Sequence, residues 1–236
     1  MRLLHPEVRD LSDDDLPDLY DEPDGPWLRA GLVASLDGAV AVRGSSRPLS
    51  GDADLAVVRA LRTVADAVLV GAGTARAEDY GPVPHRASAR EWRARHGRSP
   101  QALLVVVTRS GRLPDRALAG PLLVVAPDSA DVLPGVEVLR AGPTEVDLPT
   151  AVSRLRARGL TRLLCEGGPA LLRDLLAADL VDELCLTCSP ALIGSGPRLV
   201  EGLESPVVLE LAHLLSADPG PLLGRWRVVR SAGGQP

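Results

Sequence analysis

A chain of 236 residues with 45% hydrophobic residues is globular in composition and long enough for one large α/β domain. Aromatic residues make up 2% and Phe is absent, so the core rests on Leu, Val and Ala, and a stacking platform for single-stranded nucleic acid is disfavoured. The net charge of −5, from 26 basic and 31 acidic residues without a long basic run, also points away from nucleic acid as a partner.

No basic N-terminal segment precedes an apolar stretch, and no run reaches the roughly 18 apolar residues of a spanning helix, so a cytoplasmic protein without membrane contact is expected. Residues 1–26 are acidic and turn-rich. Ser12 ahead of Asp13, Asp14 and Asp15 predicts a short capped helix, then a loop through Asp24-Gly25-Pro26. This arm is expected on the outside of a single domain spanning 27–236. Residues 27–35 predict a buried strand, and Asp37-Gly38 a turn leading into residues 39–42. Asp37 stands where an Asp ordinarily caps such a turn.

Residues 43–50 read as a loop, with Ser50 capping a helix to about residue 66 whose apolar face is Val57, Val58, Leu61, Val64 and Ala65. Arg62 falls seven residues after Leu55, on the border of that face. There it either keeps its head in water or points across to an anionic ligand. Residues 67–70 predict a buried strand that runs into the turn Gly71-Ala72-Gly73-Thr74. This is a partial dinucleotide fingerprint, since Arg76 occupies the place of a third glycine. Residues 81–100 predict a long loop in which His85 and Arg86 are either solvated or turned to a ligand.

Residues 102–107 predict a strand, followed by Thr108-Arg109-Ser110-Gly111-Arg112, a turn whose two arginines suit a phosphate or solvent. Shorter strands are expected at 122–126 and 136–139, and Asp147 caps a helix to Arg158 that Gly159 stops. Residues 163–172 then read as strand, glycine turn and helix start. Gly167 and Gly168 let the backbone approach a ligand, Pro169 fits the first helical position, and the helix aims free N–H groups at the turn. Glu166 places a carboxylate at the carboxyl end of that strand, where open α/β sheets bind ligands.

A strand at 184–188, a loop at 189–197 and closing strands at 206–215 and 222–230 complete the chain. Cys185 and Cys188 form a C-x-x-C inside a strand, where they face opposite sides, and no second pair or nearby His completes a zinc site; no metal is expected. The alternation of strands and helices predicts an α/β domain with a mostly parallel sheet of eight or more strands and a final antiparallel hairpin.

The ordered set Ser35-Leu36-Asp37-Gly38, residues 67–74 leading to Glu78-Asp79, Cys165-Glu166-Gly167-Gly168-Pro169 and Val181-Asp182-Glu183-Leu184 resembles the riboflavin-biosynthesis pyrimidine reductases over about residues 28–200. The resemblance implies a dihydrofolate reductase-like three-layer sandwich, NADPH as cofactor and a homodimer. It also implies hydride delivery to the opened ribose of a phosphorylated aminopyrimidine, namely 5-amino-6-(5-phosphoribosylamino)uracil or a close relative. It puts Val33, Ala34, Thr74 and Glu78 near the nicotinamide, beside Gly71 and Gly73. Gly168, Pro169, Ala170, Leu171 and Leu172 fall at the cofactor phosphates, after Gly167, and Arg109, with Thr108 and Arg112, near an adenosine 2′-phosphate. Ser46, Arg62 and Glu166 would meet the substrate, with His85 or Arg86 as the counterpart of the family's phosphate-binding arginine.

Three departures stand out: Pro48 replaces a tryptophan common in the riboflavin branch, Glu78-Asp79-Tyr80 replaces Asp-Asp-Pro, and the arginine used for the substrate phosphate has no unambiguous match, only His85 or Arg86. The zinc deaminase domain often fused to such reductases is absent from this chain, which has no H-x-E followed by P-C-x-x-C. In the reductase reading Glu78 orients the nicotinamide or relays a proton, with Asp37 as second candidate. Two alternatives remain: a paralogue that reduces a pterin or dihydrofolate-type substrate, and a dinucleotide-binding sensor without turnover.

Overall fold

The computed structural model describes residues 1–21, 25–218 and 220–230. Its strands in chain order are β1 (Arg2–His5), β2 (Arg9–Asp10), β3 (Trp27–Ser35), β4 (Ala67–Gly71), β5 (Leu103–Val107), β6 (Leu122–Ala126), β7 (Glu137–Arg140), β8 (Arg162–Cys165), β9 (Glu183–Ser189), β10 (Leu209–Ser216) and β11 (Leu222–Val228). The helices are α1 (Leu16–Tyr20), α2 (Asp52–Val64), α3 (Ala72–Ala77), α4 (Ala87–Arg95), α5 (Leu148–Ala157) and α6 (Pro169–Ala177).

All strands join one sheet in the order β2-β1-β10-β11-β9-β3-β8-β4-β5-β6-β7. From β9 to β7 every neighbouring pair is parallel, and the β10–β11 hairpin closes the other side in antiparallel pairing. The central strands carry near-continuous apolar runs because both faces are covered. Val68 and Val70 of β4 pack with α2, α3 and α4, whereas Ala67 and Leu69 pack with α5 and α6. The three layers thus follow from the two-residue period of a strand with apolar side chains at every position.

Four local expectations are corrected. The N-terminal arm does not lie outside the domain: Leu3 of β1 pairs with Leu215 of β10, and Leu3, Leu11, Leu16 and Tyr20 are buried in the core. Of the loop expected at Asp24-Gly25-Pro26, Asp24 lies outside the described residues. Residues 81–100 are not a plain loop, since they contain α4, whose Arg93 is fully buried. Arg93 donates to the carbonyls of Thr63 at 2.8 Å and Ala65 at 2.6 Å, groups that the end of α2 would otherwise leave unpaired. Ser50 does not cap α2, because Gly51 takes that position, and Gly73 and Thr74 lie inside α3 instead of in a turn. Residues 39–42 form only the isolated bridges Ala39 to Arg198 and Val42 to Ser45. Asp147 does cap α5, accepting from Thr150 N–H at 3.0 Å.

Among the described residues no helix is long and apolar enough to cross a membrane. At the start of β9 Glu183, with 0% exposure, sits between two buried arginines: Arg29 Nε donates to one carboxylate oxygen and Arg225 Nε to the other, the latter at 2.6 Å. The Arg29 guanidinium also lies 5.6 Å from the centre of the Tyr20 ring, so the cluster ties β3, β9, β11 and α1 together. Glu183→Ala removes the carboxylate between two buried cations and should cost about 3–5 kcal/mol of stability in urea denaturation. A loss under about 1 kcal/mol, the value of a surface pair, would show that the cluster does not hold these elements.

Candidate active site

Glu166 is the first residue after β8, and its N–H donates to Leu69 C=O of β4 at 2.9 Å. A carboxylate at this depth needs ionic and hydrogen-bonded partners. Arg62, in the last turn of α2, supplies two of them: Nε to Oε1 at 2.6 Å and Nη2 to Oε2 at 2.7 Å. Tyr80 O–H donates to Oε2 at 2.7 Å, and the guanidinium stands 5.9 Å from the centre of the Tyr80 ring. The side chains are 22% exposed for Arg62 and 7% for Glu166. Burial opposes the charge on Arg62, but Glu166 and Tyr80 hold its pKa above the usual guanidinium value. Burial first, and then Glu166, push the Tyr80 phenol well up, so it remains a donor.

This knot forms one wall of a cavity of about 600 Å³ at the carboxyl ends of β3, β4 and β8, whose other polar groups are Ser46, Arg47, Ser50, Asp54, Thr74 and Glu78. Leu32, Val33, Val40 and Val58 supply apolar surface. Glu78 accepts from Ser45 Oγ at 3.1 Å and Ser46 N–H at 2.6 Å, and so fastens the 45–46 loop over the cavity. A second cavity of about 450 Å³ continues along the same sheet end, lined among others by Gly71, Gly73, Arg76, Thr108, Arg109, Ala170 and Leu171.

The linings of the two cavities adjoin where the chain ends of β4 and β8 touch. Gly71 N–H donates to Gly167 C=O at 2.8 Å, and Gly167 takes the left-handed conformation at φ +85°. The first turn of α6 leads directly from this seam, with Gly168 and Pro169 on the first cavity and Ala170 and Leu171 on the second. Helix geometry leaves the earliest N–H groups without intrahelical acceptors, and the dipole adds positive potential there. Arg109 meets Glu145 at 3.2 Å, and both side chains are more than 70% exposed, so solvent screens the pair.

Not every expected residue lines this cleft. Ala34 and Leu172 are buried beneath it, at 2% and 0% exposure, and Gly167 contributes through its backbone at the seam. Arg112 lies outside both cavities and gives its carbonyl to Arg76 Nη1 at 3.0 Å. Asp37, the second catalytic candidate, is also outside. It accepts from Ser35 Oγ at 2.6 Å and from Ile193 N–H at 3.0 Å and Gly194 N–H at 2.7 Å, which pins the 189–197 loop and holds its pKa far below the usual range.

His85 and Arg86 line a separate cavity on the α4 side of Arg62. His85 is pushed down to about 4, chiefly by burial and then by Arg93, Arg62 and Arg90; it is therefore neutral at pH 7, and its Nε2 faces Ala102 N–H at 3.2 Å. It supplies no cation for a phosphate. Sequence reasoning missed Tyr80, Asp54 and Arg76 as cleft residues. The one available signal was Tyr80, one of two tyrosines in an aromatic-poor chain.

The sequence profile of the RibD C-terminal domain matches residues 26–223. The 2,5-diamino-6-ribosylamino-4(3H)-pyrimidinone 5′-phosphate reductase of Archaeoglobus fulgidus is 33% identical over 196 residues, covering 78% of this chain and 86% of that protein. The protein of the same name from Methanothermobacter thermautotrophicus is 32% identical over 189 residues, covering 75% and 84%. Among solved structures, a pyrimidine reductase-like protein from Corynebacterium diphtheriae superposes with a TM-score of 0.82 at 28% identity, over 93% of this chain and 100% of that one.

Gly168 is a packing position, because a Cβ there would clash with Thr74 Oγ1 while standing an ordinary 3.6 Å from Thr74 Cβ. Gly168→Ala should therefore destabilise the free protein by about 1–3 kcal/mol, and Thr74→Ala in the same chain should restore most of it. Additive effects in this double-mutant cycle would contradict the contact.

Proposed function

The chain belongs to the RibD C-terminal domain family, and on that premise we propose that it reduces a phosphorylated ribosylaminopyrimidine of the kind named for its archaeal relatives, with NADPH as the hydride source. The observation that carries this reading is a two-chambered cleft over the start of α6. It has an ionic, hydrogen-bonding wall of Arg62, Glu166 and Tyr80 at one end and Arg76 and Arg109 at the other.

The glycine-floored seam suits a dinucleotide. A backbone without side chains at Gly71 and Gly73 and the N–H groups of Ala170 and Leu171 fit a pyrophosphate, and Arg109 exchanges its screened contact with Glu145 for a 2′-phosphate. When bound, the nicotinamide supplies a hydride. The protein's part is to hold the two reacting carbons within about 3–3.5 Å and to keep water out, for which Leu32, Val33, Val40 and Val58 provide the dry wall.

Arg62 and Glu166 offer a donor fork and a carboxylate edge to a heterocycle that carries both amino and carbonyl groups. Glu78 acts as a positioning residue: with its carboxylate bonded to Ser45 and Ser46, it sets the loop that covers the nicotinamide end. The same reading takes the protein as a cytoplasmic homodimer. Leu36 and Leu192, exposed at 64% and 77%, lie on loops joined by the Leu36 N–H to Ala191 C=O bond at 2.9 Å and offer apolar area for a second copy.

The test is to follow NADPH absorbance with the archaeal relatives' named substrate and, separately, with dihydropterins. The pyrimidine should be consumed, and Arg62→Ala should lower its turnover by about a hundredfold or more, the cost of a misplaced reacting carbon, with NADPH affinity unchanged. Binding of NADPH without turnover of any of these compounds would favour the sensor reading, and turnover of dihydropterin alone would favour the pterin paralogue.

A further inference from the structure

Three carboxylates border the substrate cavity: Glu78, Glu166 and Asp54. Two of them accept from nitrogen donors that cannot accept a hydrogen bond in return. Glu166 accepts two bonds from a guanidinium and one from a phenol, and Glu78 accepts from a backbone N–H that has no acceptor capacity. Asp54 differs. It lies in the first turn of α2 with 4% exposure, and its recorded partners are two hydroxyls: Ser50 Oγ at 2.5 Å and the side chain of Thr187 on β9. A hydroxyl rotates and can serve as donor or acceptor, so this pair offers partners to a carboxylic acid as well as to a carboxylate.

We infer that Asp54 is the general acid of the proposed reduction, donating its proton from the cavity wall to the ring oxygen of the bound ribosylamine. This rests on the reductase reading above. The chemistry requires one proton for each hydride. In a ribosylamine the anomeric carbon carries both the ring oxygen and the exocyclic nitrogen. As the bond from that carbon to the ring oxygen breaks, the oxygen takes the proton of Asp54 and the nitrogen lone pair forms a carbon–nitrogen double bond, giving an iminium cation. The anomeric carbon then accepts a hydride from a reduced nicotinamide dinucleotide, and the electron pair of the double bond returns to nitrogen. The product is an open-chain amine with a new hydroxyl group. The Asp54 carboxylate regains a proton from water, so one hydride and one proton are consumed in all.

The surroundings of Asp54 agree with an acid held ready. Burial pushes its pKa up, the hydroxyls of Ser50 and Thr187 draw it down, and the negative charge of Glu166 raises it again, the net result lying above the usual carboxylate value. The other charged groups on the cavity are Arg62, committed to Glu166, and Glu78 and the exposed Arg47, which lie 3.9 Å apart. Because the protonated form is the active one, kcat should fall as pH rises through the pKa of Asp54.

The experiment has two readouts. The first is a carbon NMR titration of the ligand-free protein labelled at its Asp carboxyl groups, with the Asp54 signal identified by its loss in Asp54→Asn. It should titrate above the ordinary Asp value of about 3.9, and titration at or below that value overturns the proposal. The second is the pH profile of NADPH oxidation with the archaeal relatives' named substrate. Asp54→Asn should lower kcat by about a hundredfold or more, the usual contribution of a general acid, with KM little changed and the alkaline fall in kcat gone. Should Asp54→Asn fail to fold, Ser50→Ala removes a hydroxyl that favours the carboxylate and should move the alkaline fall to higher pH; no movement overturns the proposal. Full activity of Asp54→Asn in an active enzyme removes the acid and leaves the reductase reading intact. No turnover by the unmodified protein removes both.

Discussion

Glu166 ends a buried strand, and a negative charge there is tolerable only because Arg62 grips it with two bonds and Tyr80 adds a third. Taking one partner away from such a pair leaves a charge in a poorly solvated place, which costs far more than the pair itself contributes. The three residues come from the end of β8, the last turn of α2 and the segment after α3. Their contact therefore fixes the layer of helices on one face to the carboxyl edge of the sheet. That edge is where parallel α/β sheets bind their ligands, and the cavity opens against this contact. The same bonds that make the charge bearable also aim a guanidinium and a carboxylate edge at whatever enters.

Beside this knot the backbone does what side chains do elsewhere. The Gly71 to Gly167 bond joins the ends of β4 and β8, and the absence of a Cβ at Gly168 leaves room for Thr74. The start of α6 then points its unpaired N–H groups along the boundary between the two cavities. An elongated anionic ligand can lie across this boundary without any cation being buried for it, because Arg76 and Arg109 at the far end remain at the surface. Charged side chains are concentrated at the other end, where Arg62, Glu166, Asp54 and Glu78 line one chamber.

Much of this was legible in the chain. Arg62 on the border of a helix face and Glu166 at the end of a strand both follow from periodicity, which is local information, and the structure brings the two into contact. What was not legible depended on distant parts of the chain. The sequence Ala87–Arg95 has little apolar pattern, and it is a helix whose Arg93 is buried against the end of α2, a site formed only on folding. β1 and β2 are too short to read alone and gain their identity from pairing, β1 with β10 and β2 with β1. The glycines at 71 and 73 suggested a turn, yet one glycine in a helix costs only about 1 kcal/mol, which packing on β4 and β5 overcomes. Asp37 and His85 looked available as polar residues near motifs, and each is already committed to a backbone N–H that only the fold brings to it.

The central claim is that the cleft transfers hydride from a nicotinamide to the ribose carbon of a pyrimidine. It is tested most directly by isotope transfer: NADPH carrying deuterium at the transferable position of the nicotinamide ring is incubated with the archaeal relatives' named substrate, and the product is examined by mass and NMR. The account predicts one deuterium per molecule, located on the former anomeric carbon, with a single stereochemistry. Cofactor oxidation without deuterium in the product, or deuterium on the heterocycle instead of the sugar chain, would contradict it.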